Sequence, residues 1–204
     1  TGLSTFVNNS ESAGSLGIQP LLDGAMSFMN TTYGVPPQQI RASVLGTAGM
    51  RLISEPAQTA IYQSVTNTIV SEGLILGDVG TITGQDEGLY SWTDVNYLQN
   101  NFNGAQTTNG IVEVGGASAQ VAYNSPTTGA NIVSTTINGQ VYNVYAISYL
   151  GLGQDQAVAA MQLLNPATKD QCYPTGYTSP SITGAFNLSS CSSNYATVTN
   201  QYGE

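Results

Sequence analysis

Two hydrophobic periods divide this chain, and the change from one to the other limits the folds open to it. Up to about residue 109, apolar residues recur at helical spacing between short strand-like runs. In 54–73, Ile61, Val65 and Ile69 return at every fourth position, with Ser54 at the N-cap, Pro56 in the first turn and Gly73 at the end. That helix stands between "IRASVLG" (40–46) and "VGTITG" (79–84), so a strand–helix–strand unit with parallel strands is predicted. A preceding helix over 18–29 aligns Leu21, Leu22, Ala25, Met26 and Met29; a following one over 85–102 turns Leu89, Trp92, Val95 and Phe102 inward. Beyond it the period falls to two. "GIVEV" (110–114) and "AQVAY" (119–123) read as paired strands, and 131–150 as a hairpin turning at Asn138-Gly139. A helix over 153–165 follows, and from Pro166 the chain reads as irregular. The expected fold is α/β, with a first lobe over 1–109 and a second over 110–204.

Charge narrows the function classes. Among 204 residues there are 3 Lys plus Arg against 12 Asp plus Glu, and no His, for a formal charge of −9. A protein that neutralises nucleic-acid phosphates needs a basic footprint, so nucleic acid is excluded as a partner. A small anionic ligand stays open where backbone N–H groups and a divalent cation supply the positive field. No run of 18 apolar residues is present, so no membrane span is expected. The chain starts at Thr1 with no basic and apolar leader before it, and reads as processed or cut from something longer.

Cys172 and Cys191 flank a loop rich in Pro, Ser and Gly, which suits a disulfide in an oxidising compartment; two buried thiols are the alternative. Closing such a loop contributes about 3 kcal/mol. Sequons at Asn8, Asn30 and Asn187 permit glycosylation, although a chain rich in Asn, Ser and Thr produces sequons by chance. Low Lys content and the cysteine pair together point to a secreted protein, or to the lumen of the secretory pathway or a periplasm.

Three strand-end turns carry unusual residues: "GTAGMR" (46–51), "TGQDEGLYSW" (83–92) and "EVGGASAQ" (113–120). Ligands sit at the carboxyl ends of strands in α/β lobes. At Gly115 and Gly116 the missing β-carbons would let phosphate oxygens approach the main-chain amides, and Ser118 could donate to a phosphate or hold a water. The alternative is an ordinary hairpin turn. Glu87, at the start of a helix, could take a proton from a water attacking phosphorus. Alternatively, Asp86 and Glu87 only complement the helix dipole.

Together these turns resemble the apyrase family, the nucleoside triphosphate diphosphohydrolases. "LGTAGMRLI" is similar to that family's Ala-Thr-Ala-Gly-Met-Arg-Leu-Leu motif, and "ITGQDEGLYSWTDVNYL" to its Thr-Gly-Gln-Glu-Glu-Gly motif with the following Tyr, Trp and Asn-Tyr-Leu. "GIVEVGGASAQV" is similar to its Gly-x-x-Asp-x-Gly-Gly-Ala-Ser-x-Gln motif, and "SYLGLGQDQA" to the segment after it. The resemblance implies an actin-like fold of two RNase H-like lobes that hydrolyses nucleoside tri- and diphosphates with Mg²⁺ or Ca²⁺. By position it implies Glu87 as general base, with Ser118 and Gln120 holding the attacking water. Thr47 and Ala48 match contacts to phosphate and cation-bound water, and Gly115, Gly116 and Ala117 match one phosphate loop. Glu113 stands where the family has an Asp that holds the metal's waters. The added methylene moves the carboxylate by about 1 Å, and displacement on that scale can cost ~10²-fold in rate. Gly46 stands where the motif has Ala, an exchange expected to matter little.

The family opens with a further phosphate loop on a β-hairpin, and its last motif contributes aromatic residues that grip the nucleoside. Neither has a counterpart here; "SESAGSLG" (10–17) is the nearest candidate for the first, without its Asp or flanking strands. The first lobe is therefore expected without its N-terminal β-hairpin and the second incomplete at its C-terminus. Two readings follow. One is the central piece of a hydrolase whose ends lie elsewhere. The other is a catalytically impaired module serving as a structural or assembly subunit of an extracellular oligomer or filament, self-associating or taking a partner strand at the first-lobe edge.

Overall fold

The computed structural model describes residues 2–104, 107–164, 169–180 and 182–202. The expected helix end at Asn165 and the start of an irregular tail at Pro166 lie outside the described residues. The chain forms two compact units, Thr1–Thr83 and Gly84–Glu204.

In the first unit, 3-10 turns at Leu3–Asn8 and Ser10–Ser12 and a π-helical stretch, Ala13–Ile18, run into α1 (Gln19–Tyr33), which Gly34 ends at a positive φ. Then come β1 (Arg41–Gly46), the short α2 (Ala48–Arg51), α3 (Glu55–Ser71) and β2 (Ile75–Thr81). The two strands pair in parallel across the α3 crossover, as the strand–helix–strand pattern predicts. Ile61, Val65 and Ile69 are fully buried and pack with Ala13, Ile18, Met50 and Leu74. The face of α1 is narrower than its sequence suggests: Leu22 and Met26 meet this core while Leu21 stays exposed. β2 also begins earlier than expected. Ala42 pairs with Leu76 but Val44 with Val79, so a bulge at Gly77 and Asp78 faces Ser43, whose hydroxyl accepts the Asp78 N–H at 3.1 Å. That bulge hides the strand's alternation.

Residues 10–17 are helical and dock on α3. A β-carbon on Gly14 would lie 2.1 Å from Thr68 Oγ1 and 2.5 Å from the Ser64 carbonyl oxygen, so only glycine permits the approach. The Gly14 N–H donates to Ser64 Oγ (3.0 Å), which itself donates to the Glu11 carbonyl (2.7 Å).

The second unit opens with α4 (Gly84–Leu98), followed by β3 (Ile111–Val114), β4 (Ser118–Asn124), β5 (Ile132–Ile137) and β6 (Gln140–Leu150). These strands form an antiparallel sheet ordered β3-β4-β6-β5. Asn138 and Gly139 both take positive φ at the β5–β6 turn, as an Asn-Gly hairpin requires. α4 packs on β3, β4 and β6 of this sheet. Trp92, buried from solvent, meets Phe102 and Tyr142 edge-on at 5.5 and 5.7 Å, over Ala122, Val144 and Ala146. The sequence suggests a division near Asn109, but Asn109 is tied back to α4: buried Asn96 accepts its N–H at 2.7 Å and donates to its carbonyl at 3.0 Å.

α5 (Gln154–Leu164), a two-residue parallel pair β7 (Lys169–Asp170) and β8 (Thr183–Gly184), and α6 (Leu188–Tyr202) complete the unit. α6 corrects the expectation of an irregular tail. Of its side chains Val198 is buried, and local ties hold its start: Cys191 is disulfide-bonded to Cys172, and Asn187 Oδ1 accepts the Ser190 N–H at 3.0 Å. Asn8, Asn30 and Asn187 are exposed. No helix among the described residues is long and apolar enough to cross a membrane.

Candidate active site

A row of polar side chains crosses the sheet of the second unit where its core would otherwise continue. Glu113 on β3 pairs with Gln120 on β4, and Gln120 pairs with Ser148 on β6, so the three share one face. One step along, Ile111, Ala122 and Ala146 occupy the same face and are apolar. α4 covers both rows: Trp92 lies over the apolar one, and Glu87 and Ser91 one turn apart reach the polar one. A β-carbon on Gly88 would meet Gln120, Ala122 and Ala146 at 3.6–3.8 Å, so the helix rests directly on the strands.

Gln120 is the hub. Its carboxamide is fully buried, and Nε2 approaches Glu87 Oε2 at 3.2 Å, Ser148 Oγ at 2.8 Å and the buried Ser118 Oγ more closely still. Its Oε1 has no hydrogen-bond partner among the described residues. A buried acceptor left in that state is costly, and it is satisfied when a donor such as water enters. Glu113 is held separately: Ser91 Oγ donates to its Oε2.

The Gly-Gly-Ala turn lies at the end of the same strands, and its carbonyls are spoken for. The N–H groups of Gln154 (2.8 Å), Asp155 (2.9 Å) and Gln156 (3.1 Å) at the start of α5 donate to Gly115 and Gly116, and Gly151 donates to Ala117 at 2.8 Å. Carbonyl and amide of one planar trans peptide point in opposite directions. The N–H groups of Gly116, Ala117 and Ser118 are therefore directed away from 151–156. Consecutive amides in such a turn make an anion-binding concavity. Gly153 makes this packing possible, since a β-carbon there would lie 2.4 Å from the nitrogens of Ala117 and Ser118.

Thr47 and Ala48 belong to the first unit. Thr47 is exposed at the N-cap of α2, its carbonyl accepting the Met50 N–H at 2.9 Å, while Ala48 is buried. Gly46 before them is not a neutral exchange, because Tyr62 fills the space a methyl would need. The Tyr62 hydroxyl bonds Thr81 Oγ1 at 2.7 Å, and Thr81 donates to Gln58 Oε1 at 2.6 Å. Burial pushes the Tyr62 pKa above its usual value, against smaller opposing effects from Thr81 and the Gly46 backbone.

The structure thus brings Glu87, Ser118 and Gln120 together, with Gly115, Gly116 and Ala117 at the neighbouring turn and Glu113 in the same row. Sequence reasoning misses Ser91, Ser148, Gly153 and Tyr62. The helical step from Glu87 to Ser91 could have signalled the first, and a lone Ser ending β6's run of Val144 and Ala146 the second.

The chain is 33% identical over 193 residues to "Probable apyrase 3" of Arabidopsis thaliana, covering 86% of this chain and 38% of that protein. It is 30% identical over 196 residues to "Ectonucleoside triphosphate diphosphohydrolase 2" of Mus musculus, again 86% and 38%. It therefore spans about two fifths of the length of these curated relatives. In fold it is similar to a crystal structure of nucleoside triphosphate hydrolases from Neospora caninum, with a TM-score of 0.56 and 20% identity over 80% of this chain and 33% of that one. The GDA1/CD39 (nucleoside phosphatase) family model matches residues 1–201, and with a match of that extent the chain belongs to that family.

Proposed function

We propose that this chain takes part in hydrolysing nucleoside tri- and diphosphates, with Glu87 as the general base. The observation that carries this reading is the meeting of Glu87 with Gln120 and Ser118 beside a turn whose amides are free of the carbonyls' partners. Ser118 and the unpaired Oε1 of Gln120 would hold a water whose proton passes to Glu87 as its oxygen attacks the terminal phosphorus. The bond from phosphorus to the bridging oxygen breaks, and the shortened nucleotide leaves with the electron pair. Gly115, Gly116 and Ala117 would cradle one phosphate through main-chain amides; in the first unit, Thr47 and Ala48 would contact phosphate or cation-bound water.

Among the described residues, no group of three His, Cys, Asp or Glu side chains could hold a metal directly. The carboxylate of Glu113, a hard oxygen donor in the polar row, fits Mg²⁺, which usually keeps several waters and is held with substrate phosphate oxygens, with Ca²⁺ the other candidate. Glu113 would hold one of those waters through the oxygen not engaged by Ser91. When bound, the cation would offset charge on the phosphates. The disulfide supports an oxidising, extracellular or lumenal setting.

The test is phosphate release from ATP and ADP with Mg²⁺ or Ca²⁺ present. Glu87→Gln is expected to lower kcat by ~10²–10⁴-fold. Absence of release above background from the native protein, at millimolar nucleotide, would reject the proposal.

A further inference from the structure

Gln120 has two amide protons, yet three acceptors surround its nitrogen: Ser148 Oγ at 2.8 Å, Glu87 Oε2 at 3.2 Å and Ser118 Oγ. An ionised carboxylate only accepts, so the nitrogen end must face Glu87. A hydroxyl cannot donate to an amide nitrogen, so both serines accept in this arrangement. A reversed carboxamide would let both hydroxyls donate to Oε1, relieving its unpaired burial, but would set Oε1 against the Glu87 carboxylate. The Glu87 carboxylate therefore decides which end faces it, and the two hydroxyls, which can accept or donate, restrain the plane of the carboxamide.

Ser148 holds the amide from the side of β6. The inner face of that strand runs Tyr142, Val144 and Ala146, all buried, and turns polar at the one position paired with Gln120. Packing alone would be met there by alanine, as it is at Ala146 opposite Ala122. The terminal torsion of a Gln side chain is broad, so each acceptor removed from Nε2 frees the amide plane to pivot.

We infer that Ser148 is a positioning residue, whose hydroxyl holds the plane of the Gln120 carboxamide, its nitrogen end set by Glu87, where it serves that carboxylate and the water beside it. This rests on the hydrolytic reading above and adds to it a residue that acts only through Gln120.

The experiment compares Ser148→Ala and Ser148→Thr with the unaltered chain by steady-state kinetics on ATP and by NMR of the Gln120 side-chain amide. Ser148→Ala is expected to lower kcat about tenfold, below the ~10²-fold of a fully misplaced group, with KM for ATP within about twofold. Ser148→Thr, which keeps the hydroxyl, is expected to recover most of that loss. In Ser148→Ala one Gln120 amide proton should move upfield and exchange faster with water. Unchanged Gln120 amide signals would overturn the inference, as would a fall in kcat matched by loss of folding and not recovered by Ser148→Thr. If the unaltered chain releases no phosphate, the hydrolytic reading fails on its own. The amide signals then still decide whether Ser148 orients Gln120.

Discussion

The Tyr62 hydroxyl stands 2.0 Å from where a β-carbon on Gly46 would lie. An alanine at residue 46 forces that hydroxyl to shift, and Met50 Cγ at 2.7 Å adds a second, more yielding obstacle. Gly46→Ala should therefore destabilise the first unit by about 1–3 kcal/mol, the usual range for overpacking. With Tyr62→Phe in place the same exchange should cost at least about 1 kcal/mol less, because neighbouring sites fail to add. Chemical denaturation of the two single variants and the double variant measures this; additive costs would contradict it.

Tyr62 also makes an alkaline prediction. Its pKa is raised in the fold, so the folded state favours the neutral phenol. The resulting contribution to stability is complete below the unfolded value, about pH 10, and is lost as pH rises through the folded value. Tyr62→Phe lacks this dependence. From about pH 10 upward the stability difference should shift against the unaltered protein, as followed by denaturant midpoints across pH.

Gly153→Ala should break the support of the Gly-Gly-Ala turn. Its new methyl would meet main-chain nitrogens of Ala117 and Ser118, which cannot rotate away as a side chain could. A cost of about 1–3 kcal/mol is expected. Faster amide exchange at 115–118 should accompany it, and a variant with native exchange there would refute the role given to this glycine.

Glu113 and Ser91 should behave as a unit. Glu113→Gln removes the carboxylate's charge and Ser91→Ala removes its hydrogen-bond donor. Under the hydrolytic proposal, both should raise the Mg²⁺ concentration needed for half-maximal phosphate release. The double variant should be little worse than Glu113→Gln alone. Independent, multiplying effects would separate the two residues.

Reducing the Cys172–Cys191 bond should loosen α6 first. The bridge closes a segment with a sequence separation of 19, worth about 3 kcal/mol. Hydrogen exchange after reduction should rise over 188–202 while 55–71, in the other unit, stays protected.

Local chemistry made much of this fold legible. The four-residue apolar repeat from Ile61 to Ile69, the Asn138-Gly139 turn and the glycines at 115 and 116 each need only near neighbours to be understood. α6 was not legible because "LSSCSSNYATVTNQY" has no apolar stripe; a distant cysteine and a cap at Asn187 hold it instead. The assignment of α4 to the second unit was hidden for a related reason, since Trp92 finds Tyr142 only through the sheet. Glu87, Ser118 and Gln120 could be read from their motifs. Ser91 and Ser148 carry only positional signals, the helical step from Glu87 and the break in β6's apolar face, and in a chain with many serines neither signal names a partner.

The tie between the Gly-Gly-Ala turn and α5 has a thermodynamic consequence. With its oxygens anchored by Gln154, Asp155 and Gln156, the turn is held in shape before anything rests against it. A negatively charged visitor would meet dipoles already aligned and would spend little of its binding energy on ordering the loop. The field of α5's first turn is meanwhile used up inside the protein, in holding that shape.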